Sequence, residues 1–210
     1  NRQVETFRHW DPAPPGTDVN WVKEDELGQF DEVLDQAVAR YIELGTTGIF
    51  LSGGLDSVTV GAAATLLSDK MGMPKPWALS LVFPDPDCNE EVVQRNVADG
   101  LGLPIFITSF DSAAGDKGLL PAAMDLSAQL DLPLLNTWLP TYQHLGMQGK
   151  QRGCDVILTG NGGDEWLSVG PFYAADLILK GDFRGLSRLF NNVGRSYHAS
   201  RLDTLRGTLW

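Results

Sequence analysis

Gly48-Ile-Phe-Leu51 is a short apolar run that ends in Ser52-Gly53-Gly54 and passes straight into a helix-forming stretch from Leu55 to about Leu67. The run has the length of a strand. Two successive glycines reach positive φ at little steric cost, which a tight turn needs. A strand that gives way at once to a helix implies a crossover, and therefore parallel βαβ units.

The same pattern recurs along the chain. Trp77-Ala-Leu-Ser-Leu-Val-Phe83, Pro104-Ile-Phe-Ile-Thr108 and Asp155-Val-Ile-Leu-Thr159 are further strands. The second is nearly all apolar, as expected of a strand covered on both faces. Leu27, Phe30, Val33/Leu34, Ala37/Val38 and Tyr41/Ile42 recur at helical spacing, so residues 23–44 read as an amphipathic helix. The helix after the first glycine loop should stop near Gly72-Met73-Pro74, and Asn89 is placed to cap one through Val92, Val93, Val97 and Leu101. Residues 112–152 carry helical patterns broken by Pro121, Pro133 and Pro140. The expected fold is α/β, a doubly wound parallel sheet. The long passage between strands three and four predicts that strand four pairs with strand one from the other side. Ligands in open sheets bind at such a switch point, outside the carboxyl ends of the strands.

Chemistry concentrates at those ends. A glycine turn leading into a helix presents unpaired N–H groups and a positive helix terminus to an anion. Ser52 and Ser57 add hydroxyls. Asp56 would repel phosphate unless a cation lay between them, and magnesium suits that role because one or two carboxylates and phosphate oxygens hold it. Neither the Walker loop nor the dinucleotide fingerprint fits these residues. The fourth strand runs into Thr159-Gly160-Asn161-Gly162-Gly163-Asp164-Glu165. Alone, this is a plausible surface turn. Facing the first loop across a switch point, it becomes the second wall of a nucleotide site, with Asp164 as the other carboxylate.

Leu51-Ser-Gly-Gly-Leu-Asp-Ser57 with Val156-Ile-Leu-Thr-Gly-Asn-Gly-Gly-Asp-Glu165 resembles the synthetase domain of the asparagine synthetase family. Asn89-Glu90, Val97-Ala98, Leu101-Gly102 and Leu130-Asp-Leu-Pro133 fall in family order. The likeness spans roughly residues 25–175, and relatives include β-lactam synthetases and lasso peptide cyclases. It implies an adenine nucleotide α-hydrolase-like fold of the PP-loop ATP pyrophosphatase type. It also implies a reaction in which ATP and Mg2+ activate a carboxylate as an acyl-adenylate, which an amine then converts to an amide. Aspartate to asparagine is the simplest case; a natural-product amide cyclase and a nucleotide-binding module without catalysis are the alternatives. By the same resemblance Ser52, Gly53, Gly54 and Ser57 hold phosphate, Asp56 and Asp164 bind magnesium, and Phe50, Leu51, Phe83, Thr159 and Gly160 line the adenosine. Asn161 stands where asparagine synthetases carry a glutamate near the adenylate, so altered acceptor chemistry is expected. The continuation Asp164-Glu-Trp-Leu-Ser-Val-Gly170 also departs from the family, and Trp166 is a candidate for the acceptor pocket.

Composition bounds the rest. The 210 residues suit one domain with a real core, and a formal charge of −11 argues against a nucleic-acid surface. Cys88 and Cys154 form neither a disulfide framework nor a zinc pattern, and His9, His144 and His198 are scattered. Asp85, Asp87, Glu90 and Glu91 read as solvated acids, and the six tryptophans mainly as fillers. Lys180, Arg184 and Arg188 recur every four residues, as on one side of a helix. No apolar stretch reaches membrane-span length and no signal peptide stands out, so a cytoplasmic setting is expected. Trp10-Asp-Pro-Ala-Pro-Pro-Gly16 reads as a linker, giving residues 1–22 as a connection from a preceding domain and 23–210 as the ATP-binding synthetase domain. The resemblance makes a glutaminase a candidate for that preceding domain, and it implies a synthetase domain that continues past Trp210 with a catalytic lysine. The implied partners are a small-molecule or peptide carboxylate and an amine donor.

Overall fold

The strand that delivers the first glycine loop lies inside the sheet, between partners on both sides. A computed structural model describes residues 27–130, 136–163, 173–196 and 200–209. In it β1 (Thr47–Phe50) pairs in parallel with β2 (Trp77–Val82) on one side and β4 (Val156–Leu158) on the other, and β3 (Ile105–Ser109) extends the β2 edge. The order is β3-β2-β1-β4, all parallel. The doubly wound α/β sheet is thus present, and strands one and four are neighbours as expected. The chain divides into two compact units, residues 1–160 and 161–210.

Alternation along β1 sorts the first unit into layers. Ile49 points into a cluster with Val38 and Ile42 of α1 (Phe30–Ile42) and Ala63, Ala64 and Leu67 of α2 (Leu55–Met71). Leu51, Ala78, Ala98 and Leu103 form a second cluster on α3 (Glu91–Leu101). Gly48 faces the other way. A Cβ there would lie 2.6 Å from Ile157 Cδ1 and 3.1 Å from Leu79 Cδ1, and one on Gly149 would lie 2.9 Å from the same two methyls. Strand glycine and helix glycine together let α6 (Leu139–Gln151) lie close on the sheet. Two further helices, α4 (Phe110–Ala114) and α5 (Leu119–Leu130), precede it.

The amino ends of the strands are pinned without reference to any ligand. Thr46 N–H donates to Asp155 Oδ2 at 3.0 Å and Thr46 O accepts from Asp155 N–H at 2.8 Å. The Arg152 guanidinium lies 3.9 Å from the centre of Phe106 and 5.5 Å from that of Trp77. Such contacts stabilise by about 0.5–2 kcal/mol each.

Several expectations shift. The first helix starts at Phe30 after a 3-10 turn at Leu27–Gln29, and residues 23–26 lie outside the described residues. The second helix runs on to Met71, where Gly72 at φ +67 ends it, as its glycine signal predicts. Asn89 Oδ1 accepts from Glu91 N–H at 2.9 Å, while the residue at the cap position is Glu90. Pro121 and Pro140 do not break helices; they sit in the first turns of α5 and α6, where no N–H is required. Pro133 is outside the described residues. Lys180 does not share a helix with Arg184 and Arg188: it follows α7 (Tyr173–Leu179), Gly181 turns the chain at φ +69, and the two arginines lie on α8 (Phe183–Ser196). In that second unit Ala174, Leu177 and Leu189 form the core, and α9 (Arg201–Leu209) adds the buried Thr204. No helix among the described residues is long and apolar enough to cross a membrane.

Burial pushes the Cys154 thiol up, the neighbouring Asp155 carboxylate acts in the same direction, and Arg152 opposes them. Cys88 is exposed. A thiol reagent at pH 8 should therefore modify Cys88 in the native protein and Cys154 only after unfolding. Gly149→Leu should lower stability by about 1–3 kcal/mol through overpacking, whereas Gly100→Ala, in α3 with open space around it, should raise it by about 0.5–1 kcal/mol. Thermal unfolding of both variants checks the pair.

Candidate nucleotide site

Both glycine loops leave carboxyl ends of adjacent strands, β1 and β4. The first is locked to β2 before it turns. Leu51 N–H donates to Leu79 O at 3.0 Å, and Leu51 O accepts from the Ser80 hydroxyl at 2.8 Å. Ser57, 5% exposed, then ties the turn together. Its Oγ accepts from Ser52 N–H at 3.2 Å, lies 2.9 Å from Ser52 Oγ, and is 3.1 Å from the carbonyls of both Ser52 and Gly54. Ser52 Oγ in turn accepts from Gly54 N–H at 3.2 Å.

This changes which donors face a ligand. By sequence the glycine turn is a set of open N–H groups, but Ser52 and Gly54 have internal acceptors and Gly53 N–H donates to Glu90 Oε2 at 2.8 Å. The open donors lie one step further on. Gly54, extended at φ −74 and ψ 150, is the N-cap of α2 and supplies no side-chain cap. Among the described residues nothing accepts from the N–H groups of Leu55, Asp56 or Ser57. A helix of 17 residues thus begins with uncapped donors and its positive pole at the strand ends.

Gly160 brings the second loop to that point. A Cβ at 160 would stand 2.6 Å from Ser57 N and 3.0 Å from Asp56 C and Ser57 Cα, distances that no side chain survives. Only glycine lets this backbone lie against the helix start. Thr159, exposed, precedes it. Asn161 opens the second unit and is exposed there. Asp164 and Trp166 lie outside the described residues.

Asp56 is half-buried in the first turn of α2, with no hydrogen-bonded or ion-paired partner among the described residues. The described residues contain no group of three or more His, Cys, Asp or Glu side chains suited to a metal. Magnesium needs no such group, since one carboxylate with waters and phosphate oxygens can hold it. The donors present fit that ion.

Rings line the same edge of the sheet, and composition gives no hint of them. Phe50, the last residue of β1, stacks on Tyr142 of α6 with centroids 5.7 Å apart. Phe83 and Phe110, just past β2 and β3, stack at 5.4 Å, and Trp138, ahead of α6, meets both edge-on at 5.9 and 5.6 Å. Phe50 and Phe83 were expected near adenosine. Phe110, Trp138 and Tyr142 were not, although each sits where a strand ends or a helix starts, which is a readable signal. Gly160→Ala should abolish ATP binding measured by calorimetry, because the first turn of α2 must move, while Gly100→Ala should bind as the unaltered chain does.

No curated protein matches the chain. The family model described as asparagine synthase matches residues 29–209, which contain both loops and every described strand. That match covers well over half of the sequence, so the chain belongs to the asparagine synthase family of ATP-dependent amide-forming synthetases.

Proposed function

We propose that this chain is the nucleotide-activating part of an AMP-forming ligase that joins a carboxylate to an amine. The observation that carries the reading is Gly160 lying against the open start of α2, because it makes one anion-binding corner out of two glycine loops. A carboxylate oxygen attacks the α-phosphorus of ATP, the bond to the bridging oxygen of pyrophosphate breaks, and pyrophosphate leaves. The amine then attacks the acyl carbon and AMP departs with its oxygen. The N–H groups at the head of α2 face developing negative charge without reorganising, the form of stabilisation that dominates such chemistry.

Phe50, Leu51, Phe83, Thr159 and Gly160 form the adenosine side of the proposed site. Ser52, Gly53, Gly54 and Ser57 form its phosphate side, with Ser57 holding the turn in shape. Asp56 and Asp164 are the proposed magnesium ligands; the ion would offset phosphate charge and orient the displacement. Asn161 is the proposed acceptor-side residue. Its side-chain amide is neutral and not basic near pH 7, so it orients a substrate by hydrogen bonding and does not act as a base.

Aspartate is the simplest carboxylate. A peptide or other bulkier acid, as in amide cyclases, is the second reading, favoured by Asn161 and by the rings of Phe83, Phe110 and Trp138. Pyrophosphate exchange into ATP, run with aspartate and with a panel of apolar acids and peptides, decides between them. Exchange with aspartate supports asparagine synthesis. Exchange confined to bulkier acids supports cyclisation. ATP binding without exchange by any acid would leave a nucleotide-binding module. Asp56→Asn should reduce the exchange rate by at least about a hundredfold, the scale seen when one preorganised electrostatic group is lost.

A further inference from the structure

Glu90 reaches out of its own helix to close a bond on the phosphate loop. It occupies the residue ahead of α3, yet its side chain does not cap that helix. The cap contact there comes from Asn89, whose Oδ1 accepts from Glu91 N–H. The base of Glu90 is fixed: Gln94 N–H donates to Glu90 O at 2.9 Å, and the Gln94 side chain donates to Leu81 O of β2 at 3.0 Å. From this anchored position Glu90 Oε2 accepts from Gly53 N–H at 2.8 Å, across 37 residues of sequence. A Cβ on Gly53 would come within 3.1 Å of Glu90 Cδ and 3.2 Å of Val93 Cγ1, so the loop and α3 are in close contact.

Ser52 and Gly54 N–H groups find neutral hydroxyls; Gly53 alone in this turn has an anion as its acceptor. One N–H serves one close acceptor well. A phosphate oxygen arriving at Gly53 must evict the carboxylate or lie beside it, and like charges a few ångströms apart repel even when water screens them. We propose that Glu90 is an affinity-setting residue of the nucleotide site, an internal anion that holds Gly53 N–H while the loop is empty and yields it to polyphosphate. The proposal rests on the phosphate-binding reading of the loop. Its carboxylate keeps ATP binding from becoming too tight and helps to expel pyrophosphate, because the loop has an acceptor ready when the product leaves.

The opposite role for the same side chain is a third cation ligand beside Asp56, and the two roles predict opposite signs. Glu90→Gln keeps the shape and a carbonyl acceptor but removes the charge; Glu90→Ala removes both. Calorimetric titration of the full chain with MgATP, with ATP in EDTA and with sodium pyrophosphate reads the outcome. The proposal expects both variants to bind each probe roughly five- to fiftyfold more tightly than the unaltered chain, with the gain shrinking at high salt because Glu90 is exposed. Unchanged affinity overturns it. Weaker MgATP binding overturns it in favour of the cation ligand. Should neither the unaltered chain nor Glu90→Gln bind any probe, the phosphate reading fails and this inference with it. Should the unaltered chain bind and the variants not improve, only the inference fails. Thermal unfolding of both variants separates a lost fold from a lost contact.

Discussion

The hydroxyl of Ser57 holds the nucleotide corner in shape, and much else follows from it. A glycine-rich turn costs more backbone entropy to fix than any other segment of its length. Here a single buried oxygen collects the Ser52 N–H, the Ser52 hydroxyl and two carbonyls from one turn. Those contacts convert a floppy stretch into a defined step between strand and helix. Leu51 adds the anchor, bonded to β2 through both its N–H and its carbonyl. With the step fixed, α2 starts at one place, and its leading N–H groups point at one place. The loop is held by bonds internal to the chain, and preorganisation of this kind spares binding the cost of ordering it.

Close approach of backbones is the second condition. Gly160 against Ser57, and Gly48 and Gly149 around Ile157 and Leu79, remove side chains where elements must nearly touch. The first places one loop on the other. The second sets the height of α6 above the sheet, and with it the position of the rings that α6 and its leading turn carry to the strand ends. Packing and chemistry meet in these glycines, since each is a missing Cβ that the geometry demands.

Much of this was legible in the residues themselves. The strands fall within a residue or two of the apolar runs because buried parallel strands leave a continuous signal, as in Trp77–Val82. The pairing of β1 with β4 followed from the length of the intervening passage. Proline misled, because Pro121 and Pro140 stand in opening turns that have no bond for proline to break. The basic triplet also misled: a four-residue spacing is a helical pattern only while the helix lasts, and Gly181 ends it. Which N–H groups are open was not readable at all. By sequence Glu90 is one acid among several solvated ones, and its bond to Gly53 depends on where α3 docks, which no local pattern records. The proposed second acid, Asp164, lies outside the described residues, so the loop pairing stands on Gly160 alone.

Arg152, held between Phe106 and Trp77, has a consequence for how such a chain can diversify. It fastens two strands, β2 and β3, to the end of α6 at the floor of the sheet, far from where substrates would enter. With cohesion assured from below, the upper rim is released from any duty to hold the scaffold together. Residues there are free to be exchanged for new acids and amines over evolutionary time, at little risk to the architecture that carries them.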